Sequence, residues 1–267
     1  MTDAGNSSVV LSAGNAQVSI APENGGRLTS LRIGELELLR QGARYGAFPM
    51  APWCGRMGSG QFRYGGALHQ MPLNADPHAI HGTARDRAWH VLSTTASTAA
   101  LSCELTDPWP YRGRVTQEFQ LSEHSITLTM RVETAGEPFP AQVGWHPWFM
   151  RNLGSGKDIE LDFTPAWQEE RGPDYLPTGH RIAPQPGPWD DCFGMPDGST
   201  VTLTWPHALQ LTITSPAEWV VVFDQQPEAA CVEPQSGPPN GINTHPRPVT
   251  ASDPLELSTT WAWRLLD

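Results

Sequence analysis

The sequence predicts an all-β protein, a large antiparallel β-sandwich, on three observations. Apolar and polar residues alternate with period two in several segments, and no stretch of eleven or more residues shows a 3.6 period. The 26 prolines and 25 glycines punctuate the chain throughout, as closely spaced turns would require. A strand sends successive side chains to opposite faces, so the alternation marks strands with one face buried and one in water.

The elements follow in chain order. The runs 115–121 and 125–133 are separated by three residues, which suits a hairpin. In the second, Ile126, Leu128, Met130 and Val132 alternate with polar neighbours without a break. The runs 201–205 and 209–214 alternate as well, and 257–265 does so less cleanly. Trp219-Val220-Val221-Val222-Phe223 is a continuous apolar run of buried-strand length. Strands of this kind pack as two sheets. At 267 residues the chain lies within the size range of one all-β unit, so residues 1–267 are expected to form a single domain.

A net charge of −11 argues against nucleic acid and against an anionic membrane surface as partners. The longest apolar run is about five residues, too short to span a bilayer. Cys54, Cys103, Cys192 and Cys231 form no Cys-x-x-Cys pair and are expected to be reduced thiols. Residues 1–10 have neither a positive start nor an apolar h-region, so they do not read as a secretory signal, and a cytoplasmic protein is expected. Eleven tryptophans supply core bodies, and some would offer flat faces to a sugar ring.

Glu233 stands out among the acids. The Trp219–Phe223 run precedes it, and three prolines and a glycine follow within six residues. Proline lacks an N–H and fixes φ, so the strand is expected to give way to a rigid turn at Glu233. Four other segments, read as loops or strand edges, carry polar chemistry: Gly55-Arg56-Met57-Gly58-Ser59-Gly60, His78-Ala79-Ile80-His81-Gly82, Gly144-Trp145-His146-Pro147-Trp148-Phe149 and Trp189-Asp190-Asp191-Cys192-Phe193. His78, His81, His146 and Glu233 could be weighed as a metal set, but helical His-x-x-x-His spacing is missing and no metal is expected.

In order and spacing these segments resemble the aldose 1-epimerase (mutarotase) family, with its galactose mutarotase-like supersandwich. The resemblance runs from about Pro49 to Asn240. It implies Glu233 as the base that takes the anomeric hydroxyl proton and His146 as the acid that protonates the ring oxygen. It implies Arg56, His81 and Asp190 as substrate-binding residues, with Asp191 as a register alternative to Asp190. His78 and Trp148 are further substrate-binding candidates. Three segments depart from the family pattern: Gly55 for an asparagine, Thr83 for a second glycine, and Pro147-Trp148-Phe149 for Tyr-Phe-Asn. They change the lining of the site more than its acid–base pair.

Mutarotation moves one proton off O1 and one onto O5, which needs no redox step and no cofactor. Glutamate, with a reference pKa near ~4.3, is expected to be ionised without tuning, and histidine near ~6.5 to hold its proton beside a carboxylate. The two are expected on opposite sides of one pocket. A free aldose such as glucose or galactose is the implied small-molecule partner. Three alternatives stay open at this point. A hexose-6-phosphate mutarotase, whose His-Gly-x-Ala-Arg pattern His81-Gly82-Thr83-Ala84-Arg85 resembles, would use Arg85 and Arg87 as a phosphate clamp. A non-catalytic carbohydrate-binding protein would share the fold. A glycosidase would pair Glu233 with Asp190 or Asp191.

Overall fold

The structure, a computed structural model, describes residues 8–154 and 156–266. Most of the segment read for a signal, residues 1–7, lies outside the described residues. Two antiparallel sheets dominate. The larger has twelve strands and runs from Val9–Ala13 through Ala47–Met50, Gly144–Pro147, Ala229–Gln235, Trp219–Phe223 and Asp190–Gly194 to Pro177–Ile182. The smaller has eight and includes the hairpin Gly113–Leu121/Ser125–Thr134 with Leu255–Leu265, Leu209–Ser215 and Ser199–Trp205. Among the described residues the one α-helix is the four-residue Gly241–Thr244. The chain is all-β, as expected.

The smaller sheet follows its sequence pattern. Ile126, Leu128, Met130 and Val132 are fully buried while their neighbours are not. Its inward residues meet the larger sheet in one core, where Phe149 packs edge-on against Trp261 with ring centroids 5.3 Å apart. Such aromatic pairs add ~0.5–1.5 kcal/mol beyond area burial. Gln117 crosses the core: its amide accepts from the Trp145 indole N–H at 2.9 Å and donates to the Gly26 carbonyl at 3.1 Å. That link fixes the strand Gly144–Pro147. Because side chains alternate, anchoring Trp145 in the core turns His146 to the opposite face of the larger sheet.

That opposite face carries a cleft. Three of its strands, Ala47–Met50, Gly144–Pro147 and Ala229–Gln235, are buried along their whole length, because segments from elsewhere in the chain cover them. Two expectations need correction here. The His146 and Asp190 segments, expected as loops or strand edges, lie on sheet strands, His146 within Gly144–Pro147 and Asp190 at the start of Asp190–Gly194. The strand through Glu233 also continues past Pro234 to Gln235. Proline is tolerated there because the neighbouring Gly144–Pro147 strand is registered only at Gly144↔Gln235, so the ladder beside Pro234 is already open.

Candidate active site

The floor of the cleft is a row of side chains across five strands. Phe48 pairs with His146, Val221 with Glu233, and Cys192 with Val221. Continuing the register from Gly144↔Gln235 sets His146 opposite Glu233. Paired residues share a face, so three separate sequence segments deliver His146, Glu233 and the Asp190–Cys192 edge to one surface. His146 Nε2 lies 3.2 Å from Glu233 Oε1. Gln235, two residues on and hence on the same face, donates from Nε2 to Glu233 Oε2 at 3.1 Å. His146 is held flat between Phe48 and Trp148, with ring centroids 4.7 and 5.0 Å away.

Arg56 and His81 come from the roof. A short ladder pairs Arg56 with Ile80, and the His81 N–H donates to the Gly55 carbonyl at 3.0 Å. His81 has φ 63° and Gly82 φ 69°. At Gly82 a Cβ would run into the Ala51 carbonyl oxygen, so this His-Gly pair has a backbone reason. Gly55 also has positive φ, and a Cβ there would sit 2.9 Å from Pro239, which accounts for its departure from the family's asparagine. The proline-rich turn after Glu233 fastens the roof to the floor. Asn240 donates its N–H to the Arg56 carbonyl at 2.7 Å and accepts from the Gly58 N–H at 3.0 Å. The His81 ring stands edge-on to His146 at 5.0 Å.

The cleft between roof and floor encloses about 170 Å³ and is lined by Arg56, His81, His146, Asp190 and Glu233. That is room for a pyranose. Asp190, Asp191 and Arg171 form its far end, with the Arg171 guanidinium 3.4 Å from Asp190 and 3.3 Å from Asp191. Asp190 sits two residues from Cys192 and shares the face of Glu233, which favours it over Asp191 as the residue facing the floor.

The electrostatics differ from the simple expectation. Burial, reinforced by Asp190, raises the Glu233 carboxyl well above its ordinary range, with Gln235 opposing. Burial, then the charge of Arg85, brings His146 down to about 3. His81 is also held well below its ordinary value, first by desolvation and then by His146, Arg85 and Arg56. Glu233 is therefore not an untuned carboxylate. Desolvation penalises charge on both partners and favours the carboxylic acid–imidazole form of the pair. The Nδ1 atoms of His146 and His81 are buried without a hydrogen-bond partner among the described residues.

The site gathers five of the seven candidates; two stand elsewhere. His78 is a buried strap: Nδ1 accepts from the Ser59 N–H at 3.1 Å, and Nε2 lies 2.9 Å from the Asp174 carbonyl. With both nitrogens taken it cannot face the cleft or join a metal set. His146, Cys231 and Glu233 place one donor atom each within 4.8 Å, and burial, then Glu233, raises the Cys231 thiol well above its ordinary value. Trp148 is outside the ring cleft and lines an adjoining bay. Trp109, Trp145, Trp205 and Trp261 are core residues, and no tryptophan lines the ring cleft. Arg87 is turned away, donating to Thr106 Oγ1 at 2.6 Å and to the Asp107 carbonyl. Glu169, Arg171, Tyr175 and Gln235 line the cleft without having been expected. Only Gln235 carried a signal, its spacing of two from Glu233. All four cysteines are free and buried.

The family model described as aldose 1-epimerase matches residues 7–240. The chain belongs to the aldose 1-epimerase family. This aldose 1-epimerase family member is similar to two uncharacterized proteins of Escherichia coli strain K12. YphB is 26% identical over 269 residues, covering 89% of this chain and 90% of its own. YihR is 30% identical over 220 residues, covering 73% and 71%. A solved galactose mutarotase-like protein from Clostridium acetobutylicum superposes with a TM-score of 0.84 at 15% identity, covering 97% of this chain and 95% of that one. At that identity the likeness is one of fold. No helix of the described residues is long and apolar enough to cross a membrane.

Proposed function

We propose that the protein is a mutarotase, interconverting the α and β anomers of an aldose by acid–base opening and closing of the ring. The observation that carries this reading is the buried His146–Glu233 pair, 3.2 Å apart, on the floor of a cleft edged by Arg56, His81 and Asp190. Adjacent rather than opposite placement suits the chemistry, because O1 and O5 share one carbon.

In this reading Glu233 takes the O1 proton while His146 gives its proton to O5. The C1–O5 bond breaks, the C1–C2 bond rotates, and the protons return as the ring closes on the other face. The pair thus alternates between carboxylate–imidazolium and carboxylic acid–imidazole. In water the reference values, near ~4.3 and ~6.5, favour the charged form. Burial moves both values toward the uncharged form. A reaction that must run equally well in both directions benefits from having both forms within reach. Arg56 and Asp190 would hold ring hydroxyls.

A pure sugar binder gains nothing from desolvating this pair, which costs stability. A glycosidase needs two carboxyls as acid and base or nucleophile, whereas the group touching Glu233 is a histidine. The test is polarimetry of freshly dissolved α-anomers with and without protein. Acceleration that Glu233→Gln and His146→Asn each abolish supports the proposal. No acceleration on any aldose, neutral or charged, would overturn it.

A further inference from the structure

The far end of the ring cleft is bounded by a turn. Trp167–Arg171 and Pro177–Ile182, at the edge of the larger sheet, form a hairpin whose tip is residues 172–176. The tip is a closed unit. The Gly172 N–H donates to the Leu176 carbonyl at 2.8 Å, the Tyr175 N–H to the Gly172 carbonyl at 3.0 Å, and the Leu176 N–H to Asp174 Oδ1 at 3.2 Å. Two contacts fasten it to the roof. His78 Nδ1 accepts from the Ser59 N–H, so in the neutral ring Nε2 carries the proton and donates it to the Asp174 carbonyl at 2.9 Å. Leu176 packs on Gly58, where a Cβ would sit 3.1 Å from Leu176 Cδ1.

Tyr175 stands on this tip at φ 64°, the left-handed region, where a bulky side chain is strained. It is half exposed to solvent although it lines the cleft. Its ring meets both sides of the mouth: the Arg56 guanidinium of the roof lies 4.6 Å from its centroid, and that of Arg171, from the floor, 5.2 Å. The hydrogen bonds that close the turn come from backbone and from Asp174, so none of them requires an aromatic ring at 175. Glycine or asparagine would build the same turn without the strain. A large ring kept at a strained, exposed position on the rim of a cleft points to a role in the cleft, not in the turn.

We propose that Tyr175 is a specificity-determining residue: it is the wall that limits the aldose to a single sugar ring by excluding a glycosyl group on O4. The assignment rests on the mutarotase reading for the pose. If Glu233 takes the proton of O1 and His146 addresses O5, C4 is the ring atom opposite C1. It points away from the pair, toward the end held by Asp190 and Arg171. The cleft encloses about 170 Å³, so a second ring joined through O4 has to leave it past Tyr175. Tyr175 is a wall and not a stacking platform, because the guanidiniums of Arg56 and Arg171 already lie against its ring. C6, carried by the carbon next to O5, leaves on the His146 side, and a glycosyl group there does not meet Tyr175.

The experiment compares kcat/KM for anomer exchange of glucose, maltose (glycosylated on O4) and isomaltose (glycosylated on O6), using wild type, Tyr175→Asn and Tyr175→Phe. Asparagine keeps the left-handed φ and removes the ring, whereas phenylalanine keeps the ring. Wild type should favour glucose over maltose by about 10- to 100-fold, the scale on which a pocket wall discriminates by size. Tyr175→Asn should lower that ratio by about tenfold, chiefly through the KM for maltose, and Tyr175→Phe should preserve it. Any displacement of Arg56 acts on every sugar and cancels in the ratio. The ratio of glucose to isomaltose should be the same in all three proteins. Maltose turned over as well as glucose by wild type overturns the wall and leaves the mutarotase reading standing. So does a maltose ratio unchanged in Tyr175→Asn, or one relaxed equally for isomaltose. If no sugar is accelerated, the mutarotase reading has failed, and calorimetry of glucose against maltose decides the wall alone. A preference for glucose that is lost in Tyr175→Asn keeps it; equal or absent binding removes it.

Discussion

The two lobes of the cleft meet at His81 and His146 and otherwise differ in almost every physical respect. The floor lobe presents Glu233, Asp190, Asp191 and Glu169, with Arg171 paired to Asp190 and Asp191, Arg181 to Glu169, and Arg56 on the lining. The bay presents guanidiniums with too few acids to match them. On the floor, burial suppresses charge: Glu233 is raised and His146 lowered. In the bay, charge persists, because arginine does not give up its proton. The lobe that suppresses charge suits proton transfer, and the lobe that retains it suits recognition. Arg85 connects them, since its charge also helps lower His146 and His81.

The sharpest way to break this division is to remove the floor pair. Glu233→Gln and His146→Asn should each lower kcat by about 10²–10⁴-fold on neutral and anionic sugars alike, the range of a positioned proton transfer. Circular dichroism should show an unchanged fold. A loss confined to one class of sugar would mean that the pair reads the substrate instead of acting on it.

How legible each lobe was in the sequence follows from how its strands are buried. The smaller sheet has one wet face, so 125–133 announced itself by alternation and its strand is Ser125–Thr134. Gly144–Pro147 and Ala229–Gln235 are covered on both faces, which erases the period-two signal. Glu233, His146, His81, Arg56 and Asp190 were still found, on the motif order of a family resemblance. That resemblance could not say that His78 is spent on Ser59 and Asp174, or that Arg85 and Arg87 part company. Both facts depend on where the chain turns between residues 78 and 90, and nothing in residue type encodes it.

The shared wall offers the next test. Gly82 holds His81 in place with a left-handed φ and no room for a Cβ against the Ala51 carbonyl. Gly82→Ala should cost about 2–4 kcal/mol in denaturant unfolding, from the left-handed strain plus the displacement of packed backbone. Because His81 borders both lobes, turnover should fall for neutral and anionic sugars together. Wild-type stability in the variant would show that the roof yields easily and that the His-Gly pair is not a backbone requirement.

A gentler probe is stability against pH. Unfolded, glutamate and histidine titrate near ~4.3 and ~6.5. Folded, Glu233 is raised and His146 lies at about 3, so the native pair keeps one proton from about pH 3 until Glu233 ionises. The unfolded pair holds one between about 4.3 and 6.5, so these two groups contribute no slope over the part of that interval in which Glu233 keeps its proton. Below that window the unfolded chain binds a second proton and stability falls as pH falls toward 3. Wherever the unfolded histidine has lost its proton and Glu233 still keeps its own, stability falls as pH rises until Glu233 ionises. Glu233→Gln should abolish the upper loss and leave stability rising from about pH 3 to 6.5. His146→Asn should remove the lower loss and leave a decline beginning near ~4.3, each limit approaching ~1.4 kcal/mol per pH unit. Difference curves of Tm between variant and wild type that are flat with pH would show that burial does not tune this pair.

The smallest expected effect is the most discriminating for the bay. Arg87 lies two residues beyond Arg85 and carries the same charge, so sequence position alone makes it an equal candidate for an oxyanion. In the fold its guanidinium is occupied by Thr106 and the Asp107 carbonyl, outside both lobes. Arg87→Gln should cost about 1 kcal/mol of stability, the net weight of a few partly exposed hydrogen bonds. The ratio of kcat/KM between anionic and neutral sugars should be unchanged. General attraction by a basic surface would make Arg85 and Arg87 equivalent and both effects salt-sensitive, since exposed charges act through the screened field. A difference between the two follows from position, because only Arg85 lies over Phe48 within the bay. Equal losses of selectivity in the two variants would reduce the bay to a patch of positive potential. A loss in Arg85→Gln alone would assign recognition to that one side chain.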